Sequence, residues 1–447
     1  MKRTLIKNAV IVNEGKSLEG SVVIENEKII EILTAGQAPV PPCDETIDAS
    51  GCYLLPGVID DHVHFRDPGL THKADISTES CAAAAGGVTS FMDMPNTSPL
   101  VTTIDALNDK FDLMAQKSIV NYSCYFGATN TNYRYFGHLD SHKVCGIKLF
   151  MGSSTGNMLV ERMKSLMKIF SETELLIATH CESQDIIKAN IEKYKKKYSE
   201  VEDLSVRYHH LIRSVEACYQ SSKLAIKLAK RTGARLHILH ISTEKELKLF
   251  ENKPLAEKQI TAEVCIPHLL FTSTDYRTMK TRIKCNPAIK REGNREALRA
   301  GINSGLIDVI ATDHAPHLLS EKEGGALKAA SGMPMVQFSL VSMLQLVNKS
   351  VFTIEKIVEK MCHAPAEIYN INHRGYIRPG YQADLVLVRP NSKWELTKDS
   401  ILSKCQWSPL EGRSFDWRVE KTFANGHLVY SEGQVDKSYR GQQLNFR

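Results

Sequence analysis

His62 and His64 stand two apart at the end of the apolar run GVIDDHVHF, and Arg66 follows at once. In an extended strand, residues i and i+2 project to the same side, so both imidazoles can reach one divalent cation. A guanidinium has the same sign of charge as that cation, so Arg66 needs an anion of its own to bind. Two more histidines close apolar runs, His180 in LLIATHC and His240 in RLHILHIS, and Asp313 leaves another, IDVIATDHAPH. A buried carboxylate requires a charged partner or a metal. Lys148 sits inside CGIKLFMG, where an isolated ammonium is costly to desolvate and its pKa should fall. A neutral amine can add carbon dioxide and become a carbamate, an anion that bridges two cations as a carboxylate does. Four histidines, one aspartate and this latent carboxylate are enough for two divalent ions that share a bridging group and an activated water. The chemistry expected is hydrolytic.

These side chains need strands to carry them. From Pro56 onward, short apolar runs alternate with longer amphipathic stretches: GVIDDHVHF, TSFMDMP, NYSCYFGA, CGIKLFMG, LLIATHC, RLHILHIS, ITAEVCIPH and IDVIATDHAPH. That alternation predicts an α/β chain built as a (β/α)₈ TIM barrel over residues 55–374, with its site at the C-terminal ends of the strands. ESCAAAAGG and SVEACYQSSKLAIKLAKRTG read as helices closed by glycine. The flanks alternate in a strand-like way (TLIKNAVIV, SVVIENEKIIEI, ADLVLV, FANGHLVY), so 1–54 and 375–447 are expected to pair into a small β-sandwich. Loop 315–334 is glycine-rich and is expected to be mobile.

Composition narrows the classes. The chain has 447 residues and is 43% hydrophobic, with 56 basic against 51 acidic side chains, a net +5 without a concentrated basic face. KYKKKY at 193–198 runs into SEVED and reads as a solvated helix face, so nucleic acid is not an expected partner. No apolar run approaches the roughly 18–20 residues of a membrane span, and the N-terminus turns polar too soon for a secretory signal. Eleven scattered cysteines read as reduced, buried thiols in a cytoplasmic protein.

The motifs LLPGVIDDHVHFRDPG, MPNTSP, GIKLFMG, THCES, LHIST, CNPAIK, ATDHAPH and RGYIRPGYQADLVLV together resemble the amidohydrolase superfamily. The resemblance lies in its cyclic-amide branch of dihydroorotases, allantoinases and hydantoinases (dihydropyrimidinases). It implies that His62 and His64 hold the more buried ion, that His180 and His240 hold the other, and that Lys148 bridges them as a carbamate. Asp313 would ligate the first ion and serve as acid and base, beside a bridging hydroxide. Zinc is the pair expected, although cobalt and manganese accept the same ligands. Many class I bacterial dihydroorotases use an aspartate shortly after the fourth strand, but here no acid lies between Lys148 and Glu161.

Arg66 then finds its anion, because dihydroorotate and N-carbamoyl-aspartate carry a carboxylate that allantoin, hydantoin and dihydrouracil lack. Allantoinases tend to read HVHFNEPG at this point, and hydantoinases lack the arginine and place a tyrosine where this chain has Ser153. Both departures point to the dihydroorotase branch and to pyrimidine biosynthesis. The resemblance adds substrate contacts at Asn96, Asn286, His317, Ser331 and Gly332, a homodimer, and association with aspartate transcarbamoylase. His237 is expected on the opposite face of its strand from His240, His209, His210 and His142 in helices or loops, and His268 and His314 in orientation or packing. Another cyclic-amide hydrolase is the alternative, followed by a catalytically dead scaffold, which would have lost ligands that this chain keeps.

Overall fold

The computed structural model describes residues 2–34, 37, 39, 42–152, 158–198 and 202–447, so Ser153 lies outside the described residues. Each of the eight apolar runs contains a strand. They are β1 (Val58–Val63), β2 (Val88–Asp93), β3 (Asn121–Cys124 and, after Tyr125, Phe126–Gly127), β4 (Ile147–Met151), β5 (Ile177–Cys181), β6 (Leu236–Ile238), β7 (Ile260–Cys265) and β8 (Val309–Ala311). All pairings among them are parallel. β1, β2 and the first part of β3 form one sheet, and the second part of β3 through β8 forms another. Tyr125 N donates to Asp93 O at 3.1 Å and Phe126 N to Gly146 O at 3.0 Å, so β3 joins the two sheets. At the far ends, Val63 bridges His314 in parallel and His64 N donates to His314 O at 2.8 Å, which sets β8 beside β1.

Alternation along the strands divides the core. Val58, Phe91, Ile147, Ile177 and Ile310 pack in one cluster with helix residues such as Ala83, Ala229 and Ile302. Their neighbours Ile59, Met92, Ala178 and Ala311 form a separate, smaller cluster. Covering both faces of parallel strands explains why the runs are apolar almost throughout. The helix Ile76–Ala85 is capped by Asp75, whose carboxylate accepts from Thr78 N at 2.9 Å. The helix Val215–Thr232 ends at Gly233, where φ of 82° is a left-handed cap that glycine adopts without a Cβ penalty.

Strands from both chain ends meet in one sheet. Strands Arg3–Asn13, Lys16–Glu25, Lys28–Thr34, Glu45–Asp48 and Tyr53–Pro56 share one nine-stranded sheet with Leu385–Arg389, Arg418–Ala424, His427–Ser431 and Gln434–Val435. Tyr53–Pro56 is the seam, parallel to the first strand of the chain and antiparallel to Leu385–Arg389. Among the described residues, no helix is long and apolar enough to cross a membrane. All eleven cysteines are free, and ten of them are buried.

Loop 315–334 is held more firmly than its glycines suggest. Lys322 is buried at its centre and donates to the carbonyls of Lys284 (3.0 Å), Ala330 (2.7 Å) and Gly332 (2.6 Å). From outside the loop, Asp203 accepts from the backbone of Gly325, Leu327 and Lys328. Lys284 O also accepts from Gly332 N at 2.9 Å, so the Lys322 ammonium is a second donor there and a partner for the carbonyls of Ala330 and Gly332.

Candidate metal centre and substrate cavity

All twelve residues singled out in the sequence line one cavity of about 420 Å³. His62 and His64 approach it from the end of β1, and Asp313 from just beyond β8. His62 Nε2 and His64 Nε2 lie 3.3 and 3.1 Å from the same oxygen, Asp313 Oδ1. The far nitrogens fix the tautomers. His62 Nδ1 faces Glu263 Oε1 at 3.0 Å and His64 Nδ1 faces Asn96 Oδ1 at 2.8 Å, both acceptors, so each Nδ1 carries the proton. Burial lowers the pKa of His62, but Glu263 and Asp313 outweigh it and raise it, so with Nδ1 already protonated the proton between the imidazoles and Asp313 sits on the Nε2 side; a cation that displaces it meets two Nε2 atoms and one carboxylate oxygen. Three electron-rich atoms around one point are a donor set for a divalent cation.

A second set lies beside the first. His180, on β5, gives its Nε2 to Glu182 Oε2 at 3.0 Å and leaves Nδ1 facing His240 Nε2, also at 3.0 Å. Glu182 is in turn paired with Arg213. His240 Nδ1 is buried with no hydrogen-bond partner among the described residues, and its ring centroid lies 5.3 Å from that of His62. Burial pushes both His180 and His240 down, which keeps them neutral and able to ligate.

Lys148, on β4, is buried, with Nζ 4.7 Å from the centre of the Phe150 ring. Burial lowers its pKa to about 8 against the opposing charges of Asp313 and Glu263. At Asp313 burial acts upward, yet His62, the hydrogen bond with His64 and nearby Lys148 outweigh it and hold the carboxyl below the ordinary range.

The remaining contacts flank this pair of ligand sets. Arg66 is buried, donating from Nε to Pro316 O at 3.1 Å, with Nη2 3.1 Å from His317 Nε2. His317 Nε2 also lies 3.1 Å from Ser331 O, and Gly332 adopts φ of 131°, where a Cβ would strike Ala315. Asn286 Oδ1 lies 3.1 Å from His209 Nε2. Asn96, expected to touch substrate, has its oxygen on His64.

Arg66, His240 and Asp313 have φ of 67°, 41° and 47°, a left-handed conformation that costs a non-glycine residue about 1–3 kcal/mol. Specific bonds over-determine each. Asp93 accepts from Phe65 N at 2.8 Å, Glu263 Oε1 accepts from His240 N at 2.8 Å, and Asp60 Oδ1 accepts from Thr312 N at 3.2 Å.

The other histidines divide. His237 is buried outside the cavity, between Thr261 and Asp61, and His314 packs between Glu79 and the backbone of Met335 and Val336, as the pattern implied. His268 is buried against Pro287 O. His209 lies in a helix, as expected, but it also lines the cavity. The short helix His209–Ile212 turns it into the cavity wall, which spacing along the sequence does not reveal. Glu263 was also missed, although a lone acid in the buried run ITAEVC is the same kind of signal as Lys148.

The amidohydrolase family model matches residues 53–429. The chain belongs to the amidohydrolase family. Among curated relatives, this amidohydrolase is 33% identical to a dihydroorotase of Methanosarcina acetivorans, across 98% of this chain and 94% of that one. It is 30% identical to a dihydroorotase of Lactobacillus johnsonii, across 96% and 99%. Among solved structures, the L-hydantoinase (dihydropyrimidinase) of Arthrobacter aurescens superposes with a TM-score of 0.92 at 26% identity, covering both chains completely. Membership of this family goes with divalent metal use, and the two ligand sets suit it.

Proposed function

We propose that this amidohydrolase is a dihydroorotase, which closes N-carbamoyl-L-aspartate to L-dihydroorotate with release of water in pyrimidine (UMP) biosynthesis and catalyses the reverse. One observation carries the reading: Arg66 lines the same cavity as both sets of cation ligands. The dihydroorotases among its relatives support it independently.

In this reading His62, His64 and Asp313 would hold one divalent ion, His180 and His240 would hold the other, and Lys148, as a carbamate, would supply a ligand to the pair. Bound there, zinc or a similar ion supplies Lewis acidity and lowers the pKa of coordinated water. Glu263, Asn96 and Glu182 orient the imidazoles by accepting their outer N–H groups. With a pKa near 8, roughly a tenth of Lys148 is neutral at pH 7, against fewer than about one in a thousand for an ordinary lysine. Addition of carbon dioxide forms an N–C bond, releases a proton and removes the cost of burying an ammonium.

Arg66 holds the substrate carboxylate that takes no part in the reaction. His317 and the backbone at Ser331 and Gly332 complete that end of the cavity, and Asn96 and Asn286 contact the reacting portion. During hydrolysis Asp313 accepts the proton of the attacking water on a carboxylate oxygen and returns it to the departing ring nitrogen. Ring closure runs the same transfers backwards.

The reading extends to the architecture and setting. Residues 55–374 form a closed (β/α)₈ barrel, supported by the bridge from β8 to β1, and 1–54 with 375–447 form a β-sandwich, supported by their shared sheet. Eleven unpaired thiols suit the cytoplasm. Homodimerisation and association with aspartate transcarbamoylase belong to the same reading and are testable by light scattering with and without that enzyme.

A second reading, hydantoin hydrolysis, is favoured by one feature: Ile187, Ile191, Ile212 and Leu327 give the cavity an apolar wall. A single comparison separates the two. Zinc-loaded protein should form dihydroorotate from carbamoyl-aspartate far faster than it hydrolyses hydantoin or allantoin. Rapid hydantoin hydrolysis without ring closure would overturn the assignment.

A further inference from the structure

His209 lies in the cavity wall but belongs to neither ligand set. Its Nε2 is 2.9 Å from Cys285 O and 3.1 Å from Asn286 Oδ1. A backbone carbonyl can only accept, so Nε2 must carry the proton and share it between these two oxygens. The ring is 2% exposed, and Nδ1 has no hydrogen-bond partner among the described residues. Burial, then the nearby charges of Lys284 and Arg213, hold the imidazole well below its ordinary pKa, so it stays a neutral donor.

The consequence falls on Asn286. A carboxamide has an accepting end and a donating end, and rotation of the side chain exchanges them. With Oδ1 committed to His209, the end left for the cavity is the NH₂. We propose that His209 is a positioning residue that fixes the Asn286 carboxamide with its two N–H donors toward the substrate, so that the ligand atom met there is a carbonyl or carboxylate oxygen. The proposal rests on the reading of Asn286 as a substrate contact.

The test uses metal-loaded full-length enzyme and four variants: His209→Phe, His209→Gln, Asn286→Ala and the double variant His209→Phe with Asn286→Ala. Phenylalanine keeps the ring volume and removes the donor, whereas glutamine keeps an N–H near the position of Nε2. His209→Phe should raise the KM for carbamoyl-aspartate roughly tenfold, the size of one lost directional hydrogen bond, with kcat within about threefold and metal content unchanged. His209→Gln should recover most of that loss. In the double variant, the phenylalanine should add nothing to the effect of Asn286→Ala, because the two residues act as one unit.

Multiplicative effects of the two substitutions, or glutamine as damaging as phenylalanine, would overturn the positioning role while leaving the function intact. An unaffected Asn286→Ala enzyme would overturn it through Asn286 itself. Absence of ring closure in the unsubstituted enzyme would instead refute the dihydroorotase reading on which the proposal rests.

Discussion

Replacing Arg66 with alanine should separate substrates by their spectator carboxylate. Of the five N–H groups of a guanidinium, one on Nε is spent on Pro316 O, leaving four for a ligand. A bidentate contact uses two of them, each a hydrogen bond to a charged group worth about 1.5–3 kcal/mol. Arg66→Ala should therefore cost about 3–6 kcal/mol, a fall of about 10²–10⁴ in kcat/KM for carbamoyl-aspartate. Strain at φ of 67° is present for alanine as well as arginine, so it cancels when two ligands are compared on the same variant. The assay measures ring closure together with calorimetric binding of dihydroorotate and of its uncharged carboxamide analogue. The variant should lose most of its preference for the acid and bind the amide within about tenfold of the parent protein. Arg66→Lys should recover only part, since an ammonium keeps the charge without the fork. Equal weakening of acid and amide would refute carboxylate recognition by Arg66.

Other outcomes follow from the same geometry. Glu263→Gln removes the charged acceptor shared by His62 Nδ1 and the His240 backbone and should lower metal affinity about 10–100-fold in a chelator competition, more than it alters substrate binding. Asp313→Asn should retain measurable metal but lose about 10²–10⁴ in kcat; near-normal turnover would exclude the proton transfer assigned to it. Burial holds Lys322 near pKa 7 and Lys284 near 8, both below the ~10.4 of an unfolded lysine, so between about pH 7 and 10 the unfolded chain binds more protons. The metal-free protein should accordingly gain stability as pH rises through that window and lose it as pH falls toward 7. A Lys322→Met protein should show a shallower rise of Tm with pH, and an unchanged slope would show that Lys322 does not titrate abnormally.

The strand ends were the most legible part of the molecule, because burial on both faces leaves polar residues few places to stand in a parallel strand. His62, His180, Lys148 and Asp313 stood out as polar residues within or closing apolar runs. The same rule would have found Glu263. Other features depend on three-dimensional context. β6 is shorter than its run RLHILHIS suggests, since His240 turns into a left-handed conformation held by Glu263 from the next strand. His209 reaches the cavity from a one-turn helix whose path no local pattern encodes. The glycines of 315–334 imply freedom, whereas the three carbonyls that Lys322 gathers at the centre of the loop are set by its three-dimensional path. Asn96 was expected on the substrate and is found with its oxygen on His64, a pairing visible only once β1 and the loop after β2 lie side by side.

Diffraction from crystals of zinc-loaded protein grown with added bicarbonate, with anomalous scattering recorded at the zinc edge, would examine the cation pair itself. Two anomalous peaks are expected, one contacted by His62, His64 and Asp313 and the other by His180 and His240, with continuous density from Lys148 Nζ to a planar group between them. A single peak, or two peaks beside an unmodified Lys148 in active protein, would contradict the bridged pair.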